Sequence, residues 1–314
     1  MTTLQALQRL RADRTSGATI LGESAIDIVE QFISTQRRED RREFSTALQA
    51  LLKEILEAQP SMAIMLNLAQ CVLEVCVDED PFPRMKQRVQ QALLEFRQGL
   101  RLSMEALCRK AIEILPPHAT VLTYSNSATV TAVLHHARAE GHLDRVLLSE
   151  SRPAYDGRAL ARSLAKLGVV IDYSIDMSLF AKLREADLVI LGADAVFPMY
   201  FLNKTGTYAL VELARIRNVP CFALCVASKF LPAAAAGLLQ LTKHPGKEVW
   251  PTSPVSVRVH NDYFEEIPLS LLKGVLSEHG MHSHKDIHVM LEERSPSLAL
   301  LRLANEPNVS ERNV

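Results

Sequence analysis

The chain reads as an α/β protein, with a helical N-terminal domain followed by a mainly parallel sheet that carries helices on both faces. Three observations predict this. Apolar residues recur three and four apart from the start to about residue 115, with no alternating run among them. The period changes at "PPHA" (116–119). Beyond that point short β-branched runs alternate strictly with segments of helical type, the pattern of parallel strands joined by crossover helices.

In the first part, "GESAIDIVEQFI", "EFSTALQALLKEILEAQ" and "MAIMLNLAQCVLEVC" each read as amphipathic helices. Residues 80–115 read as one long helix, opened by prolines and closed by Pro116 and Pro117. The expected domains are therefore 1–115, helical, and 116–314, a ligand-binding domain with a C-terminal helical tail. In the second part the predicted strands are "ATVLTY" (119–124), "RVLLSE" (145–150), "GVVIDY" (168–173), "ADLVIL" (186–191) and "VPCFALCV" (219–226). The segments "SATVTAVLHHARAEG", "GRALARSLAKLG", "SLFAKLREA" and "GTYALVELARIRN" between them read as helices. "PLSLLKGVLSEHG" and "SPSLALLRLANEP" read as further helices that pack back or serve a subunit contact.

Composition narrows the function classes. Among 314 residues, 48% are hydrophobic and 23% charged, ordinary values for a globular protein. Lys and Arg total 35 against 36 Asp and Glu, so bulk charge gives no argument for direct nucleic-acid binding. The longest apolar run, "FLPAAAAGLLQL" (230–241), is too short to span a bilayer, and no charged-then-apolar leader opens the chain. None of the five cysteines falls in a CxxC pair, which fits reduced buried thiols and a cytoplasmic protein.

One acid is out of place. Asp194 follows directly on the apolar run "LVIL", where an ionised carboxylate without a partner is costly. Ligands of open parallel sheets bind beyond the carboxyl ends of the strands. Collecting the residues there gives Ser125, Asn126 and Ser127 after the first strand, and Ser151, Arg152 and Pro153 after the second. Gly192, Ala193 and Asp194 follow the fourth, with Asn203 and Lys204 ahead of the next helix. Hydroxyls at helix starts together with Arg and Lys suit a phosphorylated small molecule, with Asp194 addressing its hydroxyl or carbonyl part. Taken singly, each has a plainer reading: the serines as helix caps, the cations as solvated loop residues, Asp194 as a turn residue. Their recurrence at successive strand ends favours a shared site.

Other motifs are missing or plain. GxGxxG, GxxxxGK[ST] and HExxH do not occur, so no cofactor is expected. His279, His282, His284 and His288 lie close together but lack zinc-like spacing, and read as a surface turn, with no metal site. Cys221 and Cys225 alternate with apolar residues and read as core.

The segments "ESRPAYDGR" (150–158), "GAD" (192–194), "NKTGT" (203–207) and "NDYFEEIP" (261–268) together resemble one superfamily. It comprises the alpha, beta and delta subunits of translation initiation factor 2B, methylthioribose-1-phosphate isomerase and ribose-1,5-bisphosphate isomerase. "TSGATILGESAI" (15–26), with Gly17 and Ala18, looks like its N-terminal Gly-Ala segment. The resemblance implies a Rossmann-like second domain, a homodimer or higher homo-oligomer, and a phosphorylated sugar or nucleotide as ligand. It further implies that Ser125 and Asp194 match the isomerases' acid–base pair, and that Asn203, Lys204 and Arg152 match residues on the substrate.

The chain departs from the isomerase pattern in three places. Ser125 stands where the isomerases have cysteine, Ser16 where they commonly have arginine (Arg14 is nearby), and "FPMYFL" replaces a Gly-containing turn. A serine hydroxyl exchanges protons near neutral pH far less readily than a thiol. The residues thus point to an initiation-factor-2B-like ligand-binding protein. An aldose–ketose isomerase acting on a 1-phosphorylated sugar is the alternative.

Overall fold

The computed structural model describes residues 2–13, 17–36, 40–76, 82–241 and 243–305. They divide into two compact units, 1–99 with 234–240 and 294–314, and 100–233 with 241–293.

Helices build the first unit: α1 (Thr3–Ala12), α2 (Ala18–Thr35), α3 (Arg41–Ala58), α4 (Ala63–Val75), the start of α5 (Phe82–Ala111) and a last helix, Leu298–Asn305. Local chemistry sets the ends. Thr2 and Gln5 form a reciprocal cap on α1, and the Asp40 carboxylate accepts the Glu43 N–H at the start of α3. Buried Gln59 donates to the carbonyls of Leu10 and Asp13 at the other end of α1. Ile26, Val29, Ile33, Phe44, Leu48, Leu52, Ile55 and Ile64 are buried at the centre, and a side chain at Gly22 would press into Ile64. Among the described residues no strand precedes Ala119.

The second unit holds β1 (Ala119–Leu122), α6 (Ala128–Ala139), β2 (Leu143–Ser149), α7 (Gly157–Ala165), β3 (Val170–Ser174), α8 (Asp176–Leu179) and β4 (Leu188–Gly192). It continues with β5 (Ala195–Val196), β6 (Tyr200–Lys204), α9 (Thr207–Ile216), β7 (Cys221–Leu224), β8 (Phe264–Pro268), β9 (Gly274–Ser277), β10 (Gly280–His282) and α10 (His284–Glu292). The main sheet runs β10-β9-β7-β4-β1-β2-β3, all parallel except the β9–β10 edge pair. The order of strand addition reverses between parallel neighbours β1 and β4, the place where such sheets open a crevice.

Alternation along the strands sorts side chains to two faces. Val121, Val146, Leu148 and Ile190 pack under α6, α7 and the end of α5, whereas Leu122, Leu147, Val189 and Leu191 pack with α9 and α10. Central β4 is buried along its whole length, which is why "LVIL" carries no polar residue.

Two sequence expectations need correction. "PLSLLKGVLSEHG" is not a helix: after a 3₁₀ turn at Leu269–Leu271 it forms β9 and β10. Its leucines have helical spacing, but Gly274 leaves no room for a side chain beside Met281 and Gly280 takes φ +117°. "FPMYFL" is the turn that carries β5 into β6 within an antiparallel β5-β6-β8 sheet. The histidines do not share one surface turn. His282 is buried on β10 against Ser277, His284 opens α10, and His288 pairs with Glu292 within it.

Candidate ligand-binding site

The loops after β1 and β2 are fixed through backbone groups. Ser125 takes φ +67°, and its N–H donates to the Ser151 hydroxyl at 2.9 Å. Asp176, at the start of α8, accepts three bonds: from the Ser149 hydroxyl and Ser151 N–H at 2.7 Å each, and from the Arg152 N–H at 2.9 Å. Gly157 opens α7 hard against this loop, since a Cβ there would lie 1.8 Å from the Ser149 carbonyl oxygen. Ser127 is the N-cap of α6, as its plainer reading had it, and the Asn126 side-chain Oδ1 accepts from the Thr131 hydroxyl at 3.2 Å. Gly192 at the end of β4 is seated on Ser127, with 2.5 Å for any added Cβ.

Arg152 is exposed. Its guanidinium donates to the Tyr155 hydroxyl at 2.6 Å and to the Val249 carbonyl at 3.1 Å.

Beyond β4 the character changes to buried charge. The Asp194 N–H joins the hairpin by donating to the Leu202 carbonyl at 2.8 Å. Burial raises the Asp194 pKa above the usual carboxylate range, opposed by the charges of Lys229 and then Lys204, and reinforced by Asp156. Lys204 pairs with Asp156 at 3.1 Å, both largely buried, and its ammonium lies 4.1 Å from the centre of the Tyr263 ring. Lys229 is buried and donates to the Ala193 carbonyl at 2.6 Å. Asn203 donates to the Thr207 hydroxyl at 3.0 Å, which in turn donates to the Lys204 carbonyl at 2.6 Å. At the N-terminus of α9, Gly206 (φ +106°) fits against Tyr124, whose hydroxyl donates to the Thr205 carbonyl. The Glu265 carboxylate accepts from the N–H groups of Gly206 and Tyr208 at 2.8 Å each.

The strand-end residues thus fall into two groups. Ser125, Ser151 and Arg152 form one, and Asp194, Asn203 and Lys204 the other, joined through the Gly192–Ser127 and Tyr124–Thr205 contacts. Gly17 is the N-cap of α2 and Ala18 its first residue, in the first unit. Arg14 and Ser16 lie outside the described residues.

Sequence reading missed two charged members. Lys229 sits in the 3₁₀ turn Ala227–Lys229 just after β7, where the same strand-end rule would have found it. Asp156 lies inside "ESRPAYDGR" and was given no role. Asp194, Asp156, Lys204 and Lys229 balance formally when Asp194 is ionised, so protonation of Asp194 leaves the group one positive charge in excess. That state suits an anionic ligand. Among the described residues no three His, Cys, Asp or Glu are grouped so as to hold a metal ion. Cys225, behind the site, has a pKa pushed up to about 12 by burial.

The second unit is a Rossmann-like parallel sheet with an acid and two buried lysines at its strand ends, and comparison with known proteins gives its family. The profile of the Initiation factor 2 subunit family matches residues 14–284, and the chain belongs to that family. A putative translation initiation factor eIF-2B subunit 2-like protein of Pyrococcus horikoshii is 25% identical over 279 residues, covering 88% of this chain and 95% of the relative. A ribose 1,5-bisphosphate isomerase of Methanocaldococcus jannaschii is 23% identical over 281 residues, covering 88% and 90%. The crystal structure of translation initiation factor eIF-2B from Pyrococcus horikoshii superposes with a TM-score of 0.78 at 24% identity, covering 90% of this chain and 96% of that one. Among the described residues no helix is long and apolar enough to cross a membrane.

Proposed function

We propose that this chain is an initiation-factor-2B-like protein that binds a phosphorylated sugar or nucleotide at the crevice between β1 and β4, working in the cytoplasm as a homodimer or higher oligomer. The observation that carries the reading is the placement of Lys204 and Lys229 around a half-buried Asp194, with Arg152 on the loop after β2. Lys204, Lys229 and Arg152 supply cations for phosphate oxygens, and Asn203 and Asp194 supply polar groups for sugar oxygens. Ribose 1,5-bisphosphate should then raise the melting temperature. The rise should disappear in a Lys204→Met, Asp156→Asn double variant, which removes both buried charges together. A rise of equal size in that variant would place the ligand elsewhere.

The raised pKa of Asp194 favours a second reading as an aldose–ketose isomerase. Moving a proton between neighbouring carbons needs groups that exchange protons near neutral pH, and burial brings Asp194 toward that range. Its partner would be Ser125, a weak acid. Isomerisation of a 1-phosphorylated pentose by the wild type should therefore be slow or absent. Ser125→Cys should accelerate it by roughly 10²–10⁴-fold, the ordinary worth of general acid–base catalysis. Adding Asp194→Asn should cancel that gain. Brisk wild-type turnover that survives Asp194→Asn would reject both roles, whereas binding without turnover in every form leaves the binding protein.

A further inference from the structure

Residues 243–262 form a strap between the 3₁₀ turn at Ala233–Leu238 and β8, and they touch Arg152 directly and Lys204 through the Tyr263 ring. The strap's base is closed by the Lys243–Asp262 bridge and by the His244 N–H donating to the Asn261 carbonyl at 3.0 Å. Inside it, Glu248 accepts from the Asn261 amide at 2.9 Å and from the Tyr263 hydroxyl at 2.5 Å. His244 stacks on the Tyr263 ring with centroids 3.7 Å apart, and the Lys204 ammonium lies 4.1 Å from the centre of that ring. The strap therefore braces the aromatic surface on which Lys204 rests.

Its second hold is Arg152, through the Val249 carbonyl. Among the described residues the Arg152 guanidinium donates to Tyr155 and Val249, both neutral. A guanidinium has five N–H donors, so others remain for an anion, which binds it more strongly than a carbonyl does. The next residue is Trp250, the only tryptophan in the chain, 45% exposed.

We infer that the strap is a cover for the anionic ligand, clamped by Arg152, which holds the Val249 carbonyl and the ligand's phosphate at the same time. Ligand binding then tightens the strap, and Trp250 moves to a less wet environment. The inference rests on the phosphosugar reading of the site.

Two parts of the strap report on this. Lys247 and Arg258 are exposed trypsin sites within it, and Trp250 is its own fluorophore. In the free protein Arg152→Gln should speed cleavage at Lys247 and Arg258 by about fivefold, the worth of one ordinary hydrogen bond, since Arg152 is exposed to water. Calorimetry would establish binding of ribose 1,5-bisphosphate, with inorganic phosphate as the smaller probe. At ten times the dissociation constant of either probe, cleavage at both sites should slow by about tenfold. Trp250 emission should shift to the blue with the same midpoint, and neither change should occur in Arg152→Gln. Heat of binding with unchanged cleavage and emission overturns the cover while leaving the ligand site standing. Protection that persists undiminished in Arg152→Gln overturns the clamp. No heat with either probe defeats the ligand reading and the cover with it.

Discussion

The two sides of the crevice are built by different physics. After β1 and β2 the chain is shaped by backbone: Ser125, Ser151 and Tyr155 take positive φ, and one carboxylate, Asp176, gathers three donors. Beyond β4 the chain is ordinary strand and hairpin, and the content is charge: Asp194, Lys204 and Lys229, with Asp156 reaching over from the loop after β2 to pair with Lys204. Changes on the first side should therefore appear as lost shape, and changes on the second as altered response to pH and anions.

The largest effect belongs to the charged side. Lys204→Ala leaves Asp156 buried without its partner, and breaking a buried pair from one end costs about 3–5 kcal/mol. Chemical denaturation should record that loss, and the Lys204→Met, Asp156→Asn variant should recover most of it. Equal losses in both would mean that Lys204 acts by packing, and the contrast would weaken.

On the shaped side the sharpest probe is Gly157→Ala. An added Cβ meets the Ser149 carbonyl oxygen, a backbone atom that cannot swing aside, so a loss of about 3 kcal/mol is expected. This loss should be nearly the same at pH 5 and pH 8, because the clash is with a backbone oxygen, although Asp156 is the preceding residue. A strong pH dependence would show that the two sides are one coupled unit.

Asp194→Asn should produce the smallest change, with the opposite sign. The native pKa of Asp194 is raised, so the folded state binds the proton more tightly than the unfolded chain does. Wild-type stability therefore falls as pH rises from the unfolded value through the raised one, and the asparagine variant escapes that fall. The two melting curves should coincide in acid and separate toward neutrality, with the variant the more stable. A variant less stable at neutral pH would mean that the lysines need the carboxylate more than burial penalises it.

Much of this was legible in the chain, and unevenly. The parallel strands announced themselves because strands buried on both faces carry unbroken apolar runs, as "LVIL" does. Asp194 stood out because a carboxylate there conflicts with its surroundings. The small antiparallel sheet did not, since β5 has two residues and "FPMYFL" has no alternation to betray a hairpin. Strand β9, second from the edge, reads as helix because Leu271, Leu272, Val275 and Leu276 satisfy helical spacing equally well. Lys229 and Asp156 were hidden for a different reason: a lone charge in a loop carries no sign of burial until the tertiary fold supplies it.

Glu265 has a consequence for ionic conditions. By accepting the Gly206 and Tyr208 N–H groups it occupies the start of α9 with a tethered anion of the protein's own, at a local concentration that a free solute seldom matches. A phosphate arriving in the crevice does not find that helix end vacant and depends on side-chain cations. Attraction to the exposed Arg152 is weakened by dissolved salt, whereas a helix terminus already filled from within is indifferent to it. Ionic strength, rather than any rearrangement of the scaffold, then becomes a dial on the phosphate binding proposed above, and Glu265→Ala would partly disconnect it.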